Sequence, residues 1–238
     1  MPSPAAPPSA DIQAIFNQIA PVYDQLNDTL SLGLHRVWKQ MAVSWCQPQP
    51  GDSALDVCCG SGDLARLLAR RVGVTGQVVG LDFSAAQLAI AQQRTAQSAQ
   101  PLPVTWVEGD ALALPFESNQ FDAATMGYGL RNVVDIPASL KELHRVLKPG
   151  ATIAILDFHR PNSLPLQALQ QWYLDHLVIP AAQRFGLKDQ YAYIVPSLER
   201  FPNGRSQVQL ATAAEFVDVT HYAIASGMMG VLVATKSA

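Results

Sequence analysis

Hydrophobic positions along the chain change their spacing twice, and the changes divide it into regions. Ile12, Ile15, Phe16 and Ile19 recur at helical intervals behind Asp11, a helix-capping residue type, and predict a short helix ending near Pro21. A second helix is predicted from about Leu34, with His35, Trp38, Met41, Ala42 and Trp45 on one side. Pro48, Pro50 and Gly51 break that pattern. Beyond them the spacing predicts strands over 54–58, 77–82, 104–107, 121–126 and 151–158. Helices are predicted between them over 63–71, 84–96 and 137–147, the last closed by Lys148, Pro149 and Gly150. Such alternation implies right-handed crossovers and a mainly parallel α/β sheet covered on both faces.

After Pro161 the rhythm stops. A helix-like stretch over 164–185 carries Trp172, Tyr173, Leu174, Leu177, Val178 and Ile179, and beyond it Tyr191 and Tyr193 interrupt the pattern. Two β-like runs, 216–223 and 228–235, flank Ala225, Ser226 and Gly227 and predict an antiparallel hairpin at the sheet edge. The expected plan is a leader over 1–10 and one domain over 11–238. Within it, 11–50 forms a helical cap, 51–160 the core, 161–210 an inserted cap and 211–238 the hairpin.

Composition narrows the function classes. Of 238 residues 49% are hydrophobic and 15% charged, which fits a globular chain and neither a disordered segment nor a coiled coil. Sixteen basic against nineteen acidic residues leave a net charge of -3, an unpromising balance for a nucleic-acid binder. Cys46, Cys58 and Cys59 have no metal-ligand spacing and cannot build a disulfide framework, so a reducing compartment and no metal are expected. No apolar run reaches the roughly 20 residues a bilayer span needs, and the first ten residues lack the basic and apolar regions of a secretory signal. Four prolines in the first eight residues predict an extended or disordered leader, and a cytoplasmic location is expected.

The strongest local signal is the run from Leu55 to Asp63, which reads Leu-Asp-Val-Cys-Cys-Gly-Ser-Gly-Asp. Gly60 and Gly62, between a strand and a helix, let the backbone pass close to a ligand. Twenty residues after Gly62, Asp82 ends the next strand, where a carboxylate can hold ribose hydroxyls. A nicotinamide dinucleotide is one reading, since Gly60 to Ala65 also fits G-x-G-x-x-A. Three features favour S-adenosyl-L-methionine instead: Asp56 within the first strand, Asp110 just after the third and suited to an adenine amino group, and the terminal hairpin. Asp56 has two readings of equal weight, direct cofactor contact or an acid that orders the turn through backbone N–H groups.

From Asp56 to Phe158 the chain resembles the class I methyltransferases that use S-adenosyl-L-methionine. More narrowly, Tyr23 to Asn27, Leu30 and Ser31, His35, Trp38, Gly129 to Asn132 and Arg145 to Pro149 resemble the quinone C-methyltransferases of menaquinone, ubiquinone and phylloquinone synthesis. Tyr193, Pro196, Ser197, Phe201 to Gly204 and Gly227 to Val233 look most like that family's cyanobacterial and plant branch, which methylates 2-phytyl-1,4-naphthoquinone. Leu26, Ala151, Asp157, His159 and Glu215 depart from the family's usual Met, Gly, Glu, Ser and Gly. The resemblance implies a Rossmann-like fold with a mainly parallel seven-stranded sheet. It also implies cofactor contacts at Ser61, Asp82, Asp110, Ala111 and Gly127.

The implied acceptor is a prenylated quinol, with peripheral contact at an inner or thylakoid membrane. A ring carbon becomes nucleophilic as a phenolic hydroxyl of pKa about 10 is lost, so a base or an electrostatic stabiliser is required. Arg131 is expected as a fixed charge favouring phenolate and Asn132 as its orienting partner. Arginine hardly deprotonates, so the base is a held water or one of Tyr23, Asp24 and His35. His35, Tyr23 and Asp24 each also fit plain packing or capping. Tyr128 fits either a wall of the methyl path or packing. Trp172, Tyr173 and Leu177 fit a prenyl groove or ordinary core. Demethylmenaquinol and polyprenyl benzoquinols remain alternative acceptors. Outside this chemistry stand an NAD-linked oxidoreductase and a binding module without turnover.

Overall fold

The computed structural model describes residues 9–20, 28, 31, 33–161, 163–187 and 193–238. The prolines of the leader, Tyr23, Asp24, Leu26 and Tyr191 lie outside them. Helix α1 (Ser9–Ile19) begins two residues ahead of the expected cap at Asp11, and α2 spans Leu34–Trp45. The core then runs β1 (Ser53–Val57), α3 (Asp63–Val72), β2 (Gln77–Asp82), α4 (Ala85–Ala96), β3 (Val104–Glu108) and β4 (Phe121–Gly127). Helix α5 (Ile136–Val146) leads directly into β5 (Leu147–Phe158), so Lys148 to Gly150 belong to the strand rather than to a separating turn.

Among the described residues seven strands form one sheet in the order β3-β2-β1-β4-β5-β7-β6, with β6 (Phe216–Ile224) and β7 (Met229–Lys236) last in sequence. The first five pair parallel, and β7 alone runs against its neighbours, antiparallel to both β5 and β6. The expected hairpin is therefore present with its second strand inside the sheet.

The pleat sorts β1 by alternate residues. Leu55 and Val57 join Met126, Leu140, Leu143 and Ile155 in the core under α5. Ala54 faces the opposite core, where Leu64, Leu68 and Val72 of α3 meet Ala42 and Val43 of α2. Local chemistry starts the helices. Ser84 caps α4 by accepting from Gln87 N–H, and Asp135 caps α5 just ahead of Pro137.

The stretch expected as one helix over 164–185 is α6 (Leu164–Tyr173), a π turn over Leu174–Val178 and α7 (Ile179–Gln183). Pro180 has no N–H to offer the preceding turn and sits just behind the wide one. Two further helices, α8 (Ile194–Arg200) and α9 (Gly204–Ala213), were not predicted. Helix α9 packs on β6 and α5 and buries Ala211 in the main core, so a cap boundary at 210 cuts through a core helix. The inserted cap and α1 instead share a small cluster of Ile19, Leu174, Val178, Ala182, Leu187 and Leu198.

Candidate active site

At the carboxyl ends of β1, β2, β3 and β4, where strand order reverses around β1, a cleft opens. Of the residues named from the sequence, Gly60, Asp82, Asp110, Ala111, Gly127 and Asn132 line it. The turn after β1 bends through left-handed backbone at Cys58, Gly60 and Gly62. Gly60 N–H donates to Asp82 Oδ2 at 2.8 Å and Ser84 N–H donates to Oδ1 at 2.9 Å. Asp82 thereby clamps the glycine turn to the start of α4. Burial pushes its carboxyl upward, opposed by the backbone N–H groups of Ser84, Gly60 and Phe83. Asp110 Oδ1 accepts from Leu112 N–H at 3.0 Å, which fixes the second carboxylate at the rim.

Three expected cofactor contacts lie elsewhere. Asp56 is fully buried beneath the first turn of α3, where Oδ2 accepts from Ala65 N–H at 2.9 Å and Oδ1 from the Thr125 hydroxyl at 2.8 Å. The turn-ordering reading is the one realised, because the pleat puts Asp56 on the α3 face of β1. Burial raises its carboxyl to about 7, against the two hydrogen bonds. Gly62 is a glycine for packing: a Cβ there would stand 2.4 Å from Trp106 Cη2, and the residue does not line the cleft. Ser61 is buried, its hydroxyl accepting from Arg94 at 3.1 Å beside an ion network in which Asp63 meets Lys39, Arg66 and Arg94. Burial opposes the charged form of Asp63, yet Lys39 and Arg66 outweigh it and hold the carboxyl well below its usual range.

On the acceptor side, Tyr128 holds left-handed backbone (φ 59) between Gly127 and Gly129, lines the cleft and packs its ring 5.6 Å from Phe158. A non-glycine residue in that region stores strain, and it does so here beside the cleft. Asn132 donates from Nδ2 to the Tyr128 carbonyl at 2.9 Å, so the two cleft residues hold each other. Arg131 departs from expectation. Its side chain is 6% exposed and is absent from the cleft lining. Its backbone N–H and Nε donate to Asp157 at 3.0 and 3.2 Å, and Nη1 donates to Ser197 Oγ at 2.7 Å and Asn132 Oδ1 at 3.2 Å. A guanidinium neutralised by a buried carboxylate cannot present a bare charge to a substrate oxygen, and its contact with the cleft lining runs through Asn132. Burial pushes Asp157 upward while Arg131 pulls it back.

His35 does not reach the cleft. It is buried on α2, with Nδ1 2.7 Å from Ser31 Oγ and Nε2 3.6 Å from Asp28, and burial and Lys39 lower its pKa. Tyr23 and Asp24 lie outside the described residues. The expected prenyl groove is not shared: Trp172 and Leu177 are exposed while Tyr173 packs against the cap cluster. His159, one of the departures from the family pattern, pairs its ring with that of His221 on β6 at 4.7 Å and does not line the cleft.

Sequence reasoning missed Phe16, Leu81, Phe83, Gln87, Leu112, Val133 and Val134 as cleft residues. Phe16 comes from α1, which folds over the cleft. Gln13 Nε2 donates to the Phe83 carbonyl, and the Phe16 and Phe83 rings lie 6.1 Å apart. Gln87 is 1% exposed, and neither of its amide atoms has a partner among the described residues. Flat apolar walls, two carboxylates and an unmet amide fit a nucleoside. Burial raises both the Cys58 and the Cys59 thiols well above their usual range, which leaves neither suited to act as a nucleophile.

The sequence profile of the ubiE/COQ5 methyltransferase family matches residues 6–236. The chain belongs to that family. A 2-phytyl-1,4-naphtoquinone methyltransferase of Nostoc sp. is 65% identical over 226 residues, covering 94% of this chain and 98% of that one. The Synechocystis sp. protein of the same name is 55% identical, covering 97% of both chains. A chloroplastic 2-phytyl-1,4-beta-naphthoquinone methyltransferase of Arabidopsis thaliana is 50% identical over 96% of this chain and 88% of its own. Membership removes the oxidoreductase alternative. At the level of fold, a SAM-dependent methyltransferase from Aquifex aeolicus superposes with a TM-score of 0.62 at 18% identity, covering 83% of this chain and 88% of that one. The [4+2]-cyclase SpnF gives 0.64 at 21% identity over 98% of both.

Proposed function

We propose that this methyltransferase moves a methyl group from S-adenosyl-L-methionine to a ring carbon of reduced 2-phytyl-1,4-naphthoquinone. The observation that carries the reading is one continuous cleft in which Asp82 and Asp110, suited to a ribose and an adenine amino group, open onto Tyr128 and Asn132. The names of the relatives at 50–65% identity support the choice of ring. Bound cofactor supplies an electrophilic methyl on a sulfonium. The chain's residues supply position, which can carry most of the barrier lowering in an in-line displacement. Asp82 holds the ribose and Asp110 the adenine edge. Asn132 retains one N–H and one oxygen lone pair beyond its bonds to Tyr128 and Arg131, enough to hold a quinol oxygen. Arg131, its charge taken up by Asp157, keeps Asn132 in that orientation, and the Asn132 N–H stabilises the phenolate. The phenolic proton leaves to a held water or to Tyr23 or Asp24. The ring carbon then takes the methyl as the methyl's bond to sulfur breaks and leaves a neutral thioether. The ring carbon's own proton is lost afterwards to the same acceptor as the ring regains aromaticity.

Among the described residues no helix is long and apolar enough to cross a membrane. Peripheral contact is supported by the outer face of the cap, where Leu164 is 76% exposed and Leu169 and Trp172 are also exposed. The deciding experiment offers reduced phytyl-naphthoquinol and a polyprenyl benzoquinol in one mixture with S-adenosyl-L-methionine, and reads products by mass spectrometry. Gain of one methyl on the naphthoquinol alone is the expected result. Gain on the benzoquinol moves the substrate, and gain on neither removes it.

A further inference from the structure

The first turn of α4 carries an incomplete capping box. Ser84 and Gln87 stand three apart, and Ser84 Oγ accepts from Gln87 N–H at 3.2 Å, the first half of the motif. In the second half a glutamine at the third position turns back to the cap residue's own N–H. Here that N–H is already given to Asp82 Oδ1 at 2.9 Å. The Gln87 amide is thereby released from capping. It is 1% exposed and lines the cleft with both Oε1 and Nε2 unpartnered among the described residues. A buried amide with no partner is costly, so it is normally met by something the site holds.

Its neighbours point to what that is. Gln87 Oε1 lies 3.8 Å from where a Cβ on Gly60 would stand, beside the backbone whose N–H fixes Asp82 Oδ2. The Asp82 carboxylate can only accept, so it can take the protons of two ribose hydroxyls but leaves the hydroxyl oxygens without a donor. Gln87 Nε2 is an unengaged donor on this side of the cleft.

We propose that Gln87 is a cofactor-binding residue, its side-chain amide donating to a ribose hydroxyl oxygen whose proton goes to Asp82. This rests on the reading that the cleft holds an S-adenosyl nucleoside. The test is calorimetric binding of S-adenosylhomocysteine and of its 2′-deoxy and 3′-deoxy analogues to the wild type and to Gln87→Met, which keeps length and removes hydrogen bonding. The variant should bind S-adenosylhomocysteine about tenfold more weakly, and should lose most of the wild type's preference for it over one deoxy analogue. Without nucleoside it should melt at or above the wild-type temperature, because an unmet amide is gone. Binding within twofold of the wild type would overturn the proposal. So would equal weakening for all three nucleosides, or a clear drop in the melting temperature of the ligand-free variant. Failure of the wild type itself to bind S-adenosylhomocysteine would instead bring down the cofactor reading beneath it.

Discussion

Alanine at Gly62 would put a Cβ 2.4 Å from Trp106 Cη2 and 3.1 Å from Ala91 Cβ, in backbone at φ 84. Left-handed backbone costs a non-glycine residue about 1 kcal/mol, and overpacking of a closed site adds about 1–3 kcal/mol. A loss near 3 kcal/mol, on the order of 6–12 °C in Tm for a chain of this size, is expected. Gly60 is the contrast. Its φ of 52 carries the same backbone cost, but the nearest atom to a Cβ is Gln87 Oε1 at 3.8 Å, and the added methyl would project into the cleft. Gly60→Ala should therefore lose only about 1 kcal/mol, roughly 2–4 °C, yet bind S-adenosylhomocysteine at least tenfold more weakly. Scanning calorimetry reads the first quantity, and titration calorimetry well below both transitions reads the second. If Gly62→Ala melts with the wild type, or Gly60→Ala binds with wild-type affinity, the division of labour between the two glycines is wrong.

Asp56→Asn places an NH₂ group against Ala65 N–H or the Thr125 hydroxyl, and should cost about 1–3 kcal/mol in urea unfolding without altering nucleoside affinity of the folded protein. Asp157→Asn leaves the buried Arg131 guanidinium without its counter-charge, so a loss of about 3–5 kcal/mol is expected, with kcat falling more than cofactor affinity in whatever fraction stays folded. His221 is pushed down to about 4 by burial and by the neighbouring His159, from an ordinary value of 6.5. A histidine depressed in the fold stabilises it above pH 6.5 and loses that contribution as pH falls toward 4. Wild type minus His221→Phe stability, measured by urea titration across that window, should therefore decline on acidification, at most by about 1.4 kcal/mol per pH unit. A flat difference would show that the ring does not titrate as described.

The alternation of short, mostly apolar runs with helical spacing is enough to place β1 to β5 and the helices between them: in 121–126 Phe, Ala, Ala and Met dominate although Asp122 and Thr125 interrupt the run. Helix α9 escaped because its inward positions, Gln207, Val208, Leu210 and Ala211, mix a polar residue and an alanine with only two larger apolar side chains and give no strong period. Its capping signal, Asn203 accepting from Ser206 N–H, was the cue available. At the site, Asp82 and Asp110 were legible since each stands at or just past the end of a strand. Asp56 and Gly62 carry the same residue types at matching spacing, and only the pleat and the Trp106 ring reveal that they serve the scaffold. Arg131 was read without its partner, since Asp157 lies 26 positions away and no local pattern joins them.

The place of β7 between β5 and β6 constrains how the chain can be made. Strand β5 has no neighbour on its outer side, and β6 none on its inner side, until residues after 228 have joined. Two unpaired backbone edges thus stay open through most of synthesis, the state in which strands recruit other chains. A nascent chain halted between 224 and 229 would carry every residue of the cleft and still be an aggregation nucleus. Closure of the sheet is all-or-none with respect to one eight-residue segment, and yield on expression should depend on the integrity of 229–236 more closely than on that of any loop of equal length.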